Sequence, residues 1–297
     1  MVDQHRSKLI TRRQALTSLA TLTAGALIKP SYVLASTPAS KTRFAVIGDF
    51  GTGGSDEFAM ANLMFEAHKA APLDFALTVG DNIYPNGTGR LLRKNFEEPF
   101  AALLKERVSF YATLGNHDVE TGRQDQINYP LFNMSGSSYY LFSRGNGLVD
   151  FFMLDSTAFG LTQESWLSNA LKNSKALWKV AAFHHPLYSS SSKHGSDIAL
   201  RSKMEPLFKQ YGVQVVFSGH DHNYERTKPQ NGIQYFVTGA GGKTRRGAVD
   251  MKSSIRAASF DQDNSYMLIE VDEREMTFKS ICEKGETVDS GIIRQAP

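Results

Sequence analysis

The sequence predicts an α/β layered fold, and three observations carry that expectation. Short apolar runs rich in β-branched and aromatic residues recur from Lys41 onward. Several are separated by stretches with helical spacing, and each run ends in a cluster of turn-type residues. Continuous apolar runs of this length suit strands buried on both faces. Strands alternating with helices argue for an α/β arrangement of layers.

Taken in order, strands are expected over 44–47, 75–79, 108–114, 149–154, 180–183, 213–217 and 235–238. Between them, the segment 55–70 predicts a helix: a capping serine and Asp56 and Glu57 open it, and Phe58, Leu63 and Phe65 are spaced helically. Similar helices are expected over 91–104, 162–171 and 197–211. The last two runs, 266–271 and 276–282, have no helix between them and predict an antiparallel hairpin. There is no internal repeat or composition break, so 36–297 is expected to form a single domain.

Residues 1–35 stand apart and are expected to be an export signal. A basic start leads to Arg12-Arg13, then a weakly apolar run over 15–28, then Lys29-Pro30 and Val33-Leu34-Ala35-Ser36. That run is too short to span a bilayer, and the three-part order is that of a signal peptide. The paired arginines resemble the twin-arginine type, which carries folded proteins through the twin-arginine export machinery. An ordinary secretory signal or a membrane anchor is the competing reading. The expected destination is periplasmic or secreted, with no stable membrane span in the mature chain.

Composition narrows the chemistry. A formal net charge of +3 over 297 residues is too small and scattered for a nucleic-acid partner. Cys282 is the only cysteine, which excludes an internal disulfide and a thiolate-rich metal site. The polar residues sit where the expected strands end, as in open α/β sheets that bind ligands beyond their carboxyl ends. They include Asp49, Asp81, Asn116, His184, His220 and His222. Each alone reads as a solvated turn or an ordinary histidine; their joint placement does not. Carboxylate, amide oxygen, imidazole and phenol donors suit iron, manganese or zinc.

Five blocks, Asp49-Phe50-Gly51, Gly80-Asp81-Asn82-Ile83-Tyr84, Gly115-Asn116-His117-Asp118, His184-His185-Pro186 and Gly219-His220-Asp221-His222, resemble in order the motifs of the purple acid phosphatases. The likeness is to the short, tartrate-resistant type within the calcineurin-like metallophosphoesterase superfamily, and it runs from about residue 43 to 242. It implies a layered β-sandwich flanked by helices, with the metal site at the carboxyl ends of strands. It implies a binuclear centre in which Asp49, Tyr84 and His222 hold Fe(III), and Asn116, His184 and His220 hold a divalent ion (Fe, Zn or Mn). Asp81 would bridge the two. The implied reaction is hydrolysis of small phosphate monoesters by direct in-line attack of a metal-activated hydroxide, without a phospho-enzyme. Three ligand negative charges and a bridging hydroxide, set against five positive, would leave about one positive charge for the phosphoryl group.

His117 and His194 resemble the family's histidines that bind substrate and protonate the leaving group. The loop over 189–193 is one residue longer than the short-type pattern, so a plain surface position for His194 stays open. His185 stands where relatives carry an aromatic residue and is expected to form pocket wall. Asp118, Asp155 and Asp221 read equally as acceptors orienting histidines or as turn formers. A phosphodiesterase or nucleotidase on the same centre is a nearby alternative. A binding protein that keeps the fold without turnover is a distant one, since no expected ligand is missing.

Overall fold

The computed structural model describes residues 41–295; the expected export signal lies outside them. The chain opens with β1 (Thr42–Ile47), α1 (Ser55–Ala70) and β2 (Phe75–Thr78). Short helices follow, among them α2 (Ala101–Lys105), before β3 (Ser109–Ala112), α3 (Asp118–Thr121) and α4 (Arg123–Ile127). Next come β4 (Tyr140–Arg144), β5 (Val149–Met153), α5 (Leu161–Asn173), β6 (Trp178–Ala182) and α6 (Ile198–Tyr211). The rest is strand: β7 (Val215–Ser218), β8 (Tyr224–Thr227), β9 (Gln234–Thr238), β10 (Arg256–Phe260), β11 (Ser265–Val271), β12 (Glu275–Cys282) and β13 (Thr287–Arg294).

Two mixed sheets result, ordered β13-β12-β11-β1-β2-β3 and β10-β8-β9-β7-β6-β5-β4. Within them β1, β2 and β3 are parallel, as are β5, β6, β7 and β9. Every side of these central strands meets apolar matter, which is why their sequences are continuous apolar runs. Alternate residues of β1 divide between two cores: Phe44 and Val46 face the second sheet's Phe151 and Phe217, while Ala45 and Ile47 join Met60 and Met64 of α1. On the far side, Phe152, Ala181 and Val216 pack against Leu167 and Leu171 of α5 and Met204 and Phe208 of α6. Each of the Val, Leu, Ile, Met and Phe side chains among them, fully buried, contributes about 1.5–3 kcal/mol. The expected layered β-sandwich flanked by helices is therefore present, and β11 pairs with β12 antiparallel as expected.

Two local expectations need correction. The helix expected over 91–104 is broken into a 3-10 turn at Gly89–Leu91, a π-helical turn at Arg93–Glu97 and α2. Pro99 supplies no N–H and stops a regular helix there. At the start of α1 the cap position is Gly54 rather than Ser55, and Glu57 reaches back to accept the Gly53 N–H at 2.6 Å. Four strands, β4, β8, β10 and β13, were not anticipated. Apart from β8 they carry half-exposed residues rather than an apolar run, and β8 buries a glutamate, Glu225. Among the described residues no helix is long and apolar enough to cross a membrane.

Candidate metal centre

Parallel strands deliver the candidate donors to one place. Asp49 follows β1, Asp81 and Tyr84 follow β2, Asn116 and His117 follow β3, His184 follows β6, and His220 and His222 follow β7. The two sheets are stitched together there: after β9, Gly241 N–H donates to Gly48 O after β1, and after β7, His220 N–H donates to Asp49 Oδ2, both at 2.9 Å. Asp49, Asp81 and His220 all have left-handed backbone, at φ +56°, +52° and +70°. Each costs of order 1–3 kcal/mol, which surrounding structure must offset. Glycines allow the close approach. A Cβ on Gly115 would lie 2.2 Å from Asp81 Oδ1, and one on Gly219 would lie 2.4 Å from Asp49 Oδ2.

Two clusters of donor atoms result, and Asp81 belongs to both. In the first, the Tyr84 hydroxyl lies 2.9 Å from Asp81 Oδ2, 3.4 Å from Asp49 Oδ1 and 3.4 Å from His222 Nε2. In the second, His184 Nε2 lies 3.0 Å from Asn116 Oδ1, 3.2 Å from His220 Nδ1 and 3.5 Å from Asp81 Oδ1. Donor atoms about 3 Å apart are what a shell of radius about 2.1 Å around one ion produces. His184 donates its Nδ1–H to Val79 O at 2.9 Å, which fixes the tautomer and turns the Nε2 lone pair inward.

Electrostatics tell the same story. Burial and the neighbouring Asp81 carboxylate push Asp49 well above the usual carboxylate range, and burial with Asp49 and Asp81 raises Tyr84 too. Burial holds His220 down to about 2 and His222 to about 4, and drives His184 well below its ordinary value. Acids that resist ionising alone, beside imidazoles that refuse protons, form a site short of positive charge. A multivalent cation reverses that balance. All the donors are oxygen or nitrogen, so the residues present fit two hard or borderline metal ions.

Behind the donors lies a supporting layer. Asp118 is buried and accepts from the N–H groups of Asn82, Ile83 and Gly115 and from the side chains of Asn82 and Gln126. It ties the β2 and β3 loops together and orients no histidine. Asp155 accepts from Arg123, Thr157 and its own turn. Asp221 accepts from Ser189 Oγ and Gly195 N–H, so it holds the loop that carries His194. Asn95, on the π-helical turn, donates to the carbonyls of Gly51 and Tyr84.

His117 and His194 flank the donors from two directions. The His117 N–H donates to Asp81 Oδ1 at 3.0 Å, its Nδ1 lies 2.6 Å from Pro85 O, and its ring is 4.7 Å from that of Tyr84. His194 is exposed, and its ring lies 4.1 Å from the His220 ring. It lines a cavity of about 460 Å³ with His185, Pro186, Lys193 and Asp197. His185 is thus in the wall of that cavity, with Nδ1 2.9 Å from Ser156 Oγ. It also lies within donor reach of His184 and His220, a proximity the sequence did not suggest.

Sequence reasoning also missed two cations. Lys243 and Arg245 leave the glycine-rich segment after β9 and stand beside Tyr84 and His222. The one available signal was Lys-Thr-Arg directly after Gly239-Ala240-Gly241-Gly242 at a strand end.

A β-sandwich between helices, with two oxygen- and nitrogen-rich donor clusters at its strand ends, defines the class of the metallophosphoesterases. The chain belongs to the calcineurin-like phosphoesterase family, whose model matches residues 42–224. It is similar to tartrate-resistant acid phosphatase type 5 of Rattus norvegicus, 27% identical over 91% of this chain and 96% of that one. It is also similar to the Homo sapiens protein of that name, 28% identical over 89% and 93%, and to purple acid phosphatase 17 of Arabidopsis thaliana, 29% identical over 70% of each. Among solved structures, the yellow lupin purple acid phosphatase PPD1 shares the fold with a TM-score of 0.72 at 18% identity, over 86% of this chain and 54% of that one. So does GAP50, described as the anchor in the inner membrane complex of Plasmodium, with a TM-score of 0.75 at 22% identity, over 87% and 90%. A fold shared with an anchor protein does not fix function, which must be argued from the site.

Proposed function

We propose that the chain is an acid phosphatase of the purple type, hydrolysing phosphate monoesters at a binuclear Fe(III)–M(II) centre. One observation carries the reading: the Tyr84 hydroxyl converges with Asp49, Asp81 and His222, within 3.4 Å of each. Zinc or calcium sites have no need of a phenol among their donors, whereas ferric iron is matched by a hard phenolate oxygen. The similarity to tartrate-resistant acid phosphatases over nearly the whole of both chains supports the same reading.

Asp49, Tyr84 and His222 would hold the ferric ion; Asn116, His184 and His220 would hold the divalent ion, with Asp81 shared. When bound, the pair supplies Lewis acidity towards the phosphoryl oxygens and a water of lowered pKa. The chain's own residues do the rest. The Val79 carbonyl keeps the His184 tautomer, and Asp118 and Asn95 hold the loops in register. His117, with Nδ1 on the Pro85 carbonyl, has Nε2 left to bind substrate or deliver a proton. His194, against His220 at the cavity mouth, is the second candidate proton donor for the departing alkoxide.

The twin-arginine-type signal over 1–35 supports a periplasmic or secreted enzyme that is folded, with its metals loaded, before export. The test is a preparation of the full chain assayed for metals and for p-nitrophenyl phosphate hydrolysis, beside His184→Ala. Two metal ions per chain including iron, and loss of activity in the variant, are expected. A metal-loaded chain that leaves the ester intact contradicts the proposal.

A further inference from the structure

Among the described residues, Lys243 is the one cation that lies over the ring of a candidate metal donor. Its ammonium is 3.4 Å from the centroid of the Tyr84 ring. The other cations placed over tyrosines, Arg144 on Tyr111 and Arg201 on Tyr188, sit on rings outside the donor set. Lys243 belongs to no ion pair among the described residues.

The backbone on both sides of Lys243 is fixed to the loops that carry the donors. Before it, Gly241 N–H donates to Gly48 O, and after it, Arg245 N–H donates to His222 O, both at 2.9 Å. The approach is too close for any residue but glycine. A Cβ on Gly241 would lie 2.5 Å from Gly48 O, and one on Gly242 would lie 2.3 Å from Phe50 O. The segment thus delivers the ammonium to the face of Tyr84 from a fixed starting point.

The face of an aromatic ring carries negative charge density, and a cation over it is attracted to that density. A phenolate carries more of it than a phenol. A cation there lowers the energy of the filled orbital from which charge would move to ferric iron. A metal meets Tyr84 only at its oxygen, whereas Lys243 lies over the ring, so the cation acts more on the electron donor than on the acceptor. Two effects follow. The charge-transfer transition needs more energy, and the phenolate gives less density to the ferric ion, which is then reduced more easily.

We propose that Lys243 is a positioning residue that tunes the iron through Tyr84, setting the colour of the centre and its ferric–ferrous balance. The inference rests on the reading of Tyr84 as a ferric ligand and goes beyond it by naming the residue that adjusts that ligand.

The test records the visible spectrum of the metal-loaded full chain beside its variants at equal iron content. In Lys243→Met the band should move to longer wavelength by at least about 10 nm, the size that losing a cation–π contact of ordinary strength gives in a visible band. Lys243→Gln, a second uncharged variant, should show the same shift. Lys243→Arg, which keeps a cation over the ring, should leave the band close to its wild-type position. Arg245→Met removes a charge from the same segment but not from over the ring, and should move the band less than Lys243→Met does. In a reductive titration with dithionite, the iron of Lys243→Met should be reduced at a lower potential than that of the wild type. A band that stays in place in both uncharged variants, or that moves as far in Arg245→Met, overturns the proposal. A colourless wild type, or a band that survives Tyr84→Phe, overturns the assignment of Tyr84 to iron instead.

Discussion

The Tyr84 hydroxyl donates to Asp81 Oδ2 at 2.9 Å, while the other oxygen of Asp81 points at the histidine cluster, 3.5 Å from His184 Nε2. One carboxylate thus spans both groups of donors. This places Tyr84 in the first group and makes Asp81 the residue that couples the two. Asp81→Asn keeps the shape but removes one negative charge between two cations. Metal analysis should show both ions bound more weakly, and p-nitrophenyl phosphate activity should fall by at least about 100-fold.

Asp118 touches no candidate donor side chain, yet it accepts hydrogen bonds from two loops that carry donors. Asp118→Ala leaves several buried N–H groups without an acceptor. Urea denaturation should show a loss of about 3–5 kcal/mol, and metal titration should show affinity reduced by about 10–100-fold. Asn95→Ala should give a smaller loss of about 1–3 kcal/mol, since it frees only the Gly51 and Tyr84 carbonyls.

The proton-delivery roles are separable by leaving group. p-Nitrophenolate departs without a proton, whereas an alkoxide needs one. His117→Ala and His194→Ala should therefore lower kcat for an alkyl phosphate by about 100-fold or more, and lower kcat for p-nitrophenyl phosphate much less. Equal losses on both substrates would mean that these histidines only bind.

Much of this was legible in the sequence because buried parallel strands write themselves as apolar runs, and β1, β2, β5, β6, β7 and β9 all do. The candidate donors stand out for the same reason: Asp49, Asp81, His184, His220 and His222 follow those runs directly, and Asn116 follows the half-buried β3. What stayed hidden depends on distant contacts. β13 is half exposed and takes its place by pairing with β12, so its own sequence carries no burial signal. The π-helical turn carries Asn95, whose side chain donates to two carbonyls on other loops, a pairing no local pattern announces. Asp118 read equally as a histidine-orienting acceptor or a turn former, because its five donor groups include ones on residues up to 36 positions away. Lys243 and Arg245 gave only a basic tripeptide after glycines, and their neighbours Tyr84 and His222 lie on other elements.

Glu57 makes stability depend on pH. It is fully buried, Oε2 accepts the Gly53 N–H, and Oε1 has no partner, so burial raises its carboxyl from 4.5 to about 9. A raised folded-state value means that the folded chain keeps a proton the unfolded chain has released. The contribution is full below about 4.5 and is lost as pH rises towards 9. Thermal unfolding at matched metal loading should thus show the wild type losing stability between pH 5 and pH 8. Glu57→Gln, which mimics the protonated acid, should lose less over the same interval.

The visible spectrum of the purified, metal-loaded chain beside Tyr84→Phe tests the central claim most directly. A phenolate on ferric iron produces a charge-transfer band, so the wild type should be purple or pink. The Phe variant should lose that band while its far-ultraviolet circular dichroism stays unchanged. A colourless wild type that binds only zinc, or a band that survives Tyr84→Phe, would contradict the assignment of Tyr84 to iron.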